Sequence, residues 1–291
     1  MAEYLADNAI EGPDEAQRRR FELPALGANG YVGAAILAAL VLLGVGYTLL
    51  APDNPHAMSR DLLRSPSAAH LMGTDNLGRD VLNQLLAGIQ VSLSVGISAA
   101  LATSVIGILV GGYAGFVGGR ADTALMRVTE MFQVVPTFVL AAVIVAMLGP
   151  GLSRIITVIA LLSWPQVALV VRGEVLRIKS LDFVDGARCL GYSETYILLR
   201  EVIPNSLRPV LALGTLAIGQ AIMMEASLSF LGLGDPTVVS WGKMLSIGQA
   251  FLFNAWWLSV FPGLAIFLTV LACNLLGDGL GGYLNPKDKG R

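Results

Sequence analysis

The chain alternates between long apolar runs and shorter polar stretches. Six runs carry almost no charged residues, and each approaches the roughly 20 residues that a helix needs to cross a bilayer. The fourth run is the shortest, and the fifth contains an acidic residue, Glu225. The pattern predicts an all-α membrane protein with six transmembrane helices. The six runs are Tyr31–Leu50, Val91–Gly111, Met131–Leu148, Ile155–Val171, Pro209–Leu231 and Trp257–Gly277.

The composition agrees with a membrane protein. Of the 291 residues, 55% are hydrophobic and 14% are charged, whereas soluble domains carry about a quarter charged residues. The net charge of −2 argues against a nucleic-acid surface, which needs clustered Lys and Arg. Cys189 and Cys273 lie in different segments without CxxC spacing, so the sequence indicates neither a metal site nor a disulfide.

The distribution of Lys and Arg orients the predicted helices. If both termini are cytoplasmic, 14 basic residues lie in cytoplasmic segments and 5 in extracytoplasmic segments, as the positive-inside rule requires. The polar, acidic start is unlike a cleavable signal peptide, so the first helix is expected to stay as an anchor in the lipid. The expected parts are a cytoplasmic tail over 1–30, disordered over Met1–Pro24, a first helix over 31–50, an extracytoplasmic loop over 51–90, a core over 91–281 and a cytoplasmic tail over 282–291.

Small residues and prolines indicate how the helices pack. Glycines allow close approach between helices, and four of them lie in and just after the second run: Gly107, Gly111, Gly112 and Gly115. Prolines can kink membrane helices because neighbouring groups satisfy the freed backbone. Kinks are therefore expected at Pro136, Pro165 and Pro262.

A polar segment interrupts the apolar pattern in the cytoplasmic loop predicted over 172–205. It is expected to form two short helices. The first has Phe183, Ala187 and Leu190 on one face, at helical spacing. Ser193 is a candidate N-cap for the second, and Pro204 is expected to end it. Such a pair could lie on the lipid surface, but its mixture of acids and bases suits a protein partner better.

The same segment resembles a known loop. "FVDGARCLGYSETYILLREVIPN" (183–205) is similar to the EAA loop of ATP-binding cassette (ABC) importer permeases, in the version found in dipeptide, oligopeptide and nickel permeases. Three more stretches agree with that family and with the second member of its permease pairs. They are "LMGTDNLGRDVLNQLLAGIQVSLSVG" (71–96), "EASLSFLGLG" (225–234) and "WWLSVFPGLAIFLTVLACNLLGDGL" (256–280).

The resemblance implies the type I importer permease fold, with a cytoplasmic coupling helix that docks on an ATPase subunit. It implies a homologous permease, two ABC ATPases that bind ATP and Mg, and an extracytoplasmic substrate-binding protein. This chain itself is expected to bind no cofactor and to carry no ATPase site. The implied cargo is a di- or oligopeptide, with nickel chelate, glutathione or opine as alternatives. The implied coupling residues are Phe183, Asp185, Gly186, Ala187, Arg188, Gly191, Pro204 and Asn205.

The chain departs from the family pattern at three places. Asp185-Gly186 replaces the usual Glu-Ala, and Glu201 replaces a common histidine. Gly281-Gly282 stands where the family often has Arg-Asp. These differences concern contacts of the loop and of the C-terminus rather than the family resemblance.

Three acidic residues in or beside the apolar runs are candidates for the pathway or for gating. Glu225 lies inside a run, where an ionised carboxylate is costly in lipid, so it is expected to face protein or water. It could bond across a permease dimer, line the pathway or serve as a structural anchor. Glu130 and Asp278 flank runs, and an interfacial role is expected for both, with gating as the alternative.

Other chemistries find less support in the residues. A channel or secondary carrier would show repeated halves or several charged residues within its spans, and only Glu225 lies clearly within one. Gly232–Asp235 spells the GxGD of intramembrane proteases, but no second intramembrane Asp is present, so a turn is expected. Gly242-Lys243 lacks the rest of a P-loop. His56 and His70 are expected to be solvated loop residues rather than metal ligands.

Overall fold

The computed structural model describes residues 26–50 and 54–284, which are helical apart from connecting segments and one isolated β-bridge between Thr74 and Asp80. The predicted disorder of Met1–Pro24 and the part of the predicted C-terminal tail after Leu284 lie outside the described residues. The helices are α1 (Gly27–Leu50), α2 (Val81–Val117), α3 (Gly119–Val134), α4 (Thr137–Leu148), α5 (Leu152–Lys179), α6 (Asp182–Cys189), α7 (Glu194–Tyr196), α8 (Ile203–Phe230), α9 (Trp241–Gly248) and α10 (Trp257–Leu284). A π-helix, Ile197–Val202, joins α7 to α8, and a 3₁₀-helix, Gln249–Phe251, follows α9.

Five helices are individually long and apolar enough to cross a membrane: α1, α2, α5, α10 and the Pro209–Phe230 part of α8. The sixth predicted crossing, Met131–Leu148, is not one continuous helix. It belongs to the pair α3 and α4, which meet at an angle of 83°. The six predicted crossings are therefore present only if this bent pair counts as one span.

The break in the third span lies at Pro136. Val135 before it is extended, with φ −87° and ψ 132°, as expected for a residue whose helical conformation is hindered by the following proline ring. Pro136 lacks the N–H that would continue the helix. The apolar run continues through this position, which is why hydropathy alone predicted a single helix. The kink predicted at Pro136 is confirmed.

Several helices are longer than their apolar runs. Helix α2 begins at Val81 rather than Val91, because Asp80 caps it by accepting a hydrogen bond from the Asn83 N–H at 3.1 Å. Helix α5 continues past Val171 to Lys179, so the first part of the predicted loop is helical. The last helix passes the predicted 281/282 boundary and ends at Leu284. Polar side chains with partners explain the extensions of α2 and α5.

Two ties at one end of α5 illustrate such partners. Arg172 donates two hydrogen bonds to the Asp122 carboxylate of α3, at 2.5 and 2.6 Å. Lys179 donates to the Phe116 carbonyl oxygen at the end of α2, and its ammonium lies 5.4 Å from the Phe116 ring centroid. Helices α2, α3 and α5 are therefore joined where the chain enters the polar segment.

Glycines bring α2 and α5 into close contact, as predicted. A methyl group on Gly111 would overlap the Ala168 carbonyl group, and one on Gly107 would lie 2.5 Å from the Val167 Cβ. A methyl group on Gly115 would lie 3.1 Å from the Val175 Cβ. The absence of side chains at these positions lets the two helix backbones approach.

The segment 54–80 forms a polar cap beside the start of α2. Buried Asp75 accepts hydrogen bonds from Arg79 Nε at 2.6 Å and from Gln84 Nε2 at 3.0 Å. The prediction of solvated histidines is correct for His56, which is exposed, but wrong for His70. The His70 Nδ1 lies 2.9 Å from the Asp80 carboxylate, because the tertiary fold returns the loop to the start of α2.

Candidate functional site

The polar segment packs on the end of the helical bundle through one side. Val184 of α6 is fully buried, as are Ile197 and Val202 of the π-helix. They form a cluster with apolar residues of α2, α5 and α8, including Val175 and Ile178 of α5. This core fixes the segment to the transmembrane helices.

The opposite side of the segment is apolar and exposed. Phe183 is 44% exposed and Leu190 79% exposed. The rings of Tyr192 and Tyr196 stack with centroids 4.8 Å apart, and Leu199 is also exposed. Of the three residues predicted to share a face, Phe183 and Leu190 are exposed, whereas Ala187 packs against the buried cluster that contains Val184. We call the exposed residues Phe183, Leu190, Tyr192, Tyr196 and Leu199 the apolar patch.

Charged groups beside the patch form a local network. Arg188 donates hydrogen bonds to Asp185 at 2.9 Å and to Glu194 at 3.1 Å. The Glu194 hydrogen bond is the main reason that the pKa of the Arg188 guanidinium is raised, against the opposing effect of desolvation, with Asp185 contributing further. These two hydrogen bonds join α6 to α7.

Glycine and serine set the turn between α6 and α7. Gly191 has φ +81°, in the left-handed region that favours glycine, and its N–H donates to the Arg188 carbonyl oxygen at 2.9 Å. Ser193 caps α7 by accepting from the Tyr196 N–H at 3.3 Å, which confirms the predicted cap. Gly186 lies within α6 with open space around its Cα.

The predicted end of the second short helix at Pro204 is wrong. Helical structure continues through the π-helix, and Pro204 lies in the first turn of α8. Proline has no N–H to donate to a preceding helical carbonyl oxygen, and Pro204 lies where the π-helix gives way to α8. Asn205 donates to the Glu201 carbonyl oxygen at 2.6 Å. Both residues thus belong to the junction between the polar segment and α8.

The three acidic candidates are not gathered into one site. Glu225 is 1% exposed and accepts a hydrogen bond from the Ser229 hydroxyl at 2.6 Å. Its other carboxylate oxygen has no hydrogen-bond partner among the described residues. Glu130 is exposed on α3 and pairs with Arg127 at 2.9 Å, and Asp278 is exposed on α10. Glu225 lies within the Pro209–Phe230 span, near the C-terminal end of α8, and Asp278 lies near the C-terminal end of α10.

The residues of the GxGD sequence form a turn rather than a catalytic pair. Gly232 has φ +81°. Asp235 accepts from the Thr237 hydroxyl at 2.6 Å and N–H at 2.9 Å, and from the Leu152 N–H at 3.2 Å. The hydroxyl bond is the largest cause of the lowered pKa of Asp235. The aspartate is thus fully occupied in tying this turn to the start of α5.

Sequence reasoning missed a pocket of about 70 Å³ between α2, α5 and α8. Four of its lining residues are polar: Thr103, Ser163, Gln166 and Gln220. The sequence signal for this pocket was the presence of two glutamines, Gln166 and Gln220, within two of the apolar runs. Because glutamine is uncharged, the pathway candidates selected by their charge did not include these two residues.

The chain is similar in sequence to a family of membrane transport components and to several permeases. Residues 107–289 match the family described as binding-protein-dependent transport system inner membrane component. The chain is 39% identical over 260 residues to a putative peptide transport system permease protein of Brucella suis, covering 89% of this chain and 88% of the relative. It is 39% identical to a glutathione transport system permease protein of Pectobacterium atrosepticum (88% and 87% covered) and 37% identical to a di/tripeptide transport system permease protein of Pseudomonas aeruginosa (88% and 88% covered).

Proposed function

Since the chain belongs to the family of inner-membrane components of binding-protein-dependent transport systems, we propose that it imports short peptides as one of two permease subunits of an ABC importer. Membership makes it a multi-pass membrane permease that works within a complex. The peptide cargo is supported by the names of its relatives, which include peptide and di/tripeptide permeases. Glutathione, a three-residue peptide, is the second candidate because of the glutathione permease relative.

The proposed orientation places both termini and the polar segment in the cytoplasm. The observation that supports it is the excess of Lys and Arg, 14 against 5, on that side of the predicted spans. In this orientation the 54–80 cap lies outside, where a substrate-binding protein would deliver cargo. The second permease subunit would complete the pathway beside this chain.

The polar segment is proposed to receive movement from an ATPase subunit. The observation that carries this proposal is its two-sided construction. The apolar patch is exposed, while Val184 and the π-helix are buried against transmembrane helices. Exposed apolar residues rimmed by charges are typical of a protein docking site. An ATPase that moved the patch would therefore move the ends of α5 and α8 with it.

ATP and Mg are proposed to bind to two ATPase subunits and not to this chain. The chain's own part is mechanical: α6 is held by the Arg188 network, and the close packing of α2 against α5 passes displacement along the bundle. The pathway would then alternate between an outward state and an inward state. Interiors packed this closely transmit strain because they have low compressibility.

A matched pair of leucine substitutions tests the docking surface. Leu190 is 79% exposed in the apolar patch, and Leu62 is 56% exposed in the 54–80 cap. In the purified complex with its second permease, ATPases and binding protein, Leu190→Arg is expected to release the ATPases and to lower ATP-driven peptide uptake at least about tenfold, as loss of an interface hot spot does. Leu62→Arg is expected to retain the ATPases.

Two results would contradict the proposal. One is peptide uptake by this chain in vesicles without ATPases, which would indicate a carrier. The other is an unchanged ATPase content after Leu190→Arg, which would place the docking surface elsewhere.

A further inference from the structure

Two glutamines lie halfway along membrane-spanning helices. Gln166 is near the middle of α5 (Leu152–Lys179), and Gln220 is near the middle of the Pro209–Phe230 span of α8. Both line the pocket between α2, α5 and α8. The pocket therefore lies near the centre of the bilayer.

Neither amide is used by the fold. Both side chains are exposed, and neither forms a hydrogen bond with another residue of the described ranges. Two other glutamines of the bundle differ in this respect, since Gln84 bonds to Asp75 and Gln90 bonds to the Gly44 carbonyl oxygen. Exposing a free amide to lipid carries a large desolvation cost, so Gln166 and Gln220 must face a polar group that is not part of the described chain.

The lining of the pocket limits the chemistry of that group. Its ten lining residues include no acidic, basic or histidine side chain. A ligand recognised through a net charge would therefore find no counter-charge here, and a metal ion would find no carboxylate or imidazole ligand. Glutamine amides both donate and accept hydrogen bonds, as does a peptide bond through its N–H and C=O. Apolar neighbours such as Ile159, Leu213 and Leu216 would accommodate side chains of varied shape.

We propose that Gln166 and Gln220 bind the main chain of the peptide as it passes the middle of the membrane. This inference rests on the proposed peptide import. Recognition of peptide bonds rather than side chains would let one permease carry peptides of different sequence. The uncharged pocket would also hold the peptide weakly enough to release it in either direction.

The experiment measures ATP-driven uptake of tri-alanine by the complete importer in proteoliposomes. It compares tri-alanine with ester analogues in which the N–H of each peptide bond in turn is replaced by oxygen. For each complex, the rate of tri-alanine uptake is divided by the rate of ester uptake. All complexes use the same binding protein, so its preference between amide and ester cancels when this ratio is compared between a variant and the wild type. The variants are Gln166→Leu, Gln220→Leu and the double variant.

The wild type is expected to prefer the amide over at least one ester by about fivefold, the effect of one net hydrogen bond. In the double variant this preference is expected to fall towards the value set by the binding protein alone. Gln133→Leu is the matched control, because Gln133 is an exposed glutamine of α3 that does not line the pocket. It is expected to keep the wild-type ratio.

Three results would overturn the inference, and each has a separate signature. Equal amide-to-ester ratios in wild type and double variant would show that the glutamines do not contact the main chain. Loss of the second permease from the purified double variant would assign the amides to the contact between subunits. Absence of tri-alanine and glutathione uptake by the wild-type complex would refute the proposed cargo itself, and with it the ligand that this inference requires.

Discussion

At the scale of single residues, His70 is held between two carboxylates in the cap beside α2. Its Nδ1 lies 2.9 Å from Asp80, and its Nε2 lies 3.7 Å from Asp61. The hydrogen bond with Asp80 is the largest cause of the raised pKa of His70; desolvation opposes it, and Asp61 adds to it. Asp80 also caps α2, so protonated His70 joins the cap to the start of this helix.

This contact predicts a pH-dependent stability. A raised pKa in the folded state means that the contribution of His70 is fully present below the ordinary value of 6.5 and is lost as the pH rises through the raised pKa. The thermal midpoint of the purified importer, measured from pH 5.5 to 8.5, is expected to include a decrease over this window that His70→Gln removes. His56→Gln, at the exposed histidine, is expected to leave the profile unchanged; equal profiles for wild type and His70→Gln would contradict the assignment.

The burial of Glu225 was predictable in part from the sequence. Its position in an apolar run predicted that it faces protein, and it is buried with Ser229 as its hydrogen-bond donor. The serine lies one helical turn later on the same helix, so the sequence contained this partner. The surroundings that bury both residues depend on the packing of α9 against α8, where Gly242 faces Ala226.

At the scale of elements, two glycines of the polar segment predict opposite responses to the same substitution. Gly186 lies within α6 and Gly191 in the left-handed turn, and a methyl group would meet open space at both. Gly186→Ala is expected to stabilise α6 by about 1 kcal/mol because alanine has the higher helix propensity. Gly191→Ala is expected to destabilise the turn by about 1–2 kcal/mol because its φ of +81° strains an L side chain.

Hydrogen exchange of the backbone amides of 182–202 distinguishes these two effects. Exchange is expected to become slower in Gly186→Ala and faster in Gly191→Ala. Since neither methyl group would contact another residue, each variant serves as the steric control for the other. A change in the same direction in both variants would contradict the conformational explanation.

At the scale of the whole molecule, the contact between α2 and α5 holds the bundle together and includes the wall of the central pocket. Gly111 has no room for a side chain against Ala168, whereas Gly173 of α5 faces open space. Gly111→Ala is expected to cost about 1–3 kcal/mol through overpacking and to lower the thermal midpoint of the purified protein. Gly173→Ala is the matched control and is expected to leave the midpoint unchanged or to raise it. Equal midpoints in the two variants would contradict the importance of this contact.

The sequence by itself determined the membrane class, the approximate number of crossings and the local turn signals. Hydropathy located the crossings, although not the break at Pro136, because a long apolar segment in lipid satisfies its own backbone groups as a helix. Ser193 and Gly191 were recognisable because a cap and a left-handed turn depend on neighbouring residues. Tertiary structure decided that α5 continues beyond its apolar run, because Asp122 of α3 supplies a partner for Arg172. The start of α2 at Val81 depends instead on the local cap Asp80.

The tertiary structure also decided which side of the polar segment is available to a partner. Helical spacing placed Phe183, Ala187 and Leu190 together, but it could not show that the bundle would cover Val184 and Ala187 and leave Phe183 and Leu190 exposed. The meeting of Gln166 and Gln220 in one pocket likewise depends on how α5 and α8 pack. Burial is set by neighbours distant in sequence, and for this reason the apolar patch and the central pocket emerged only from the packed helices.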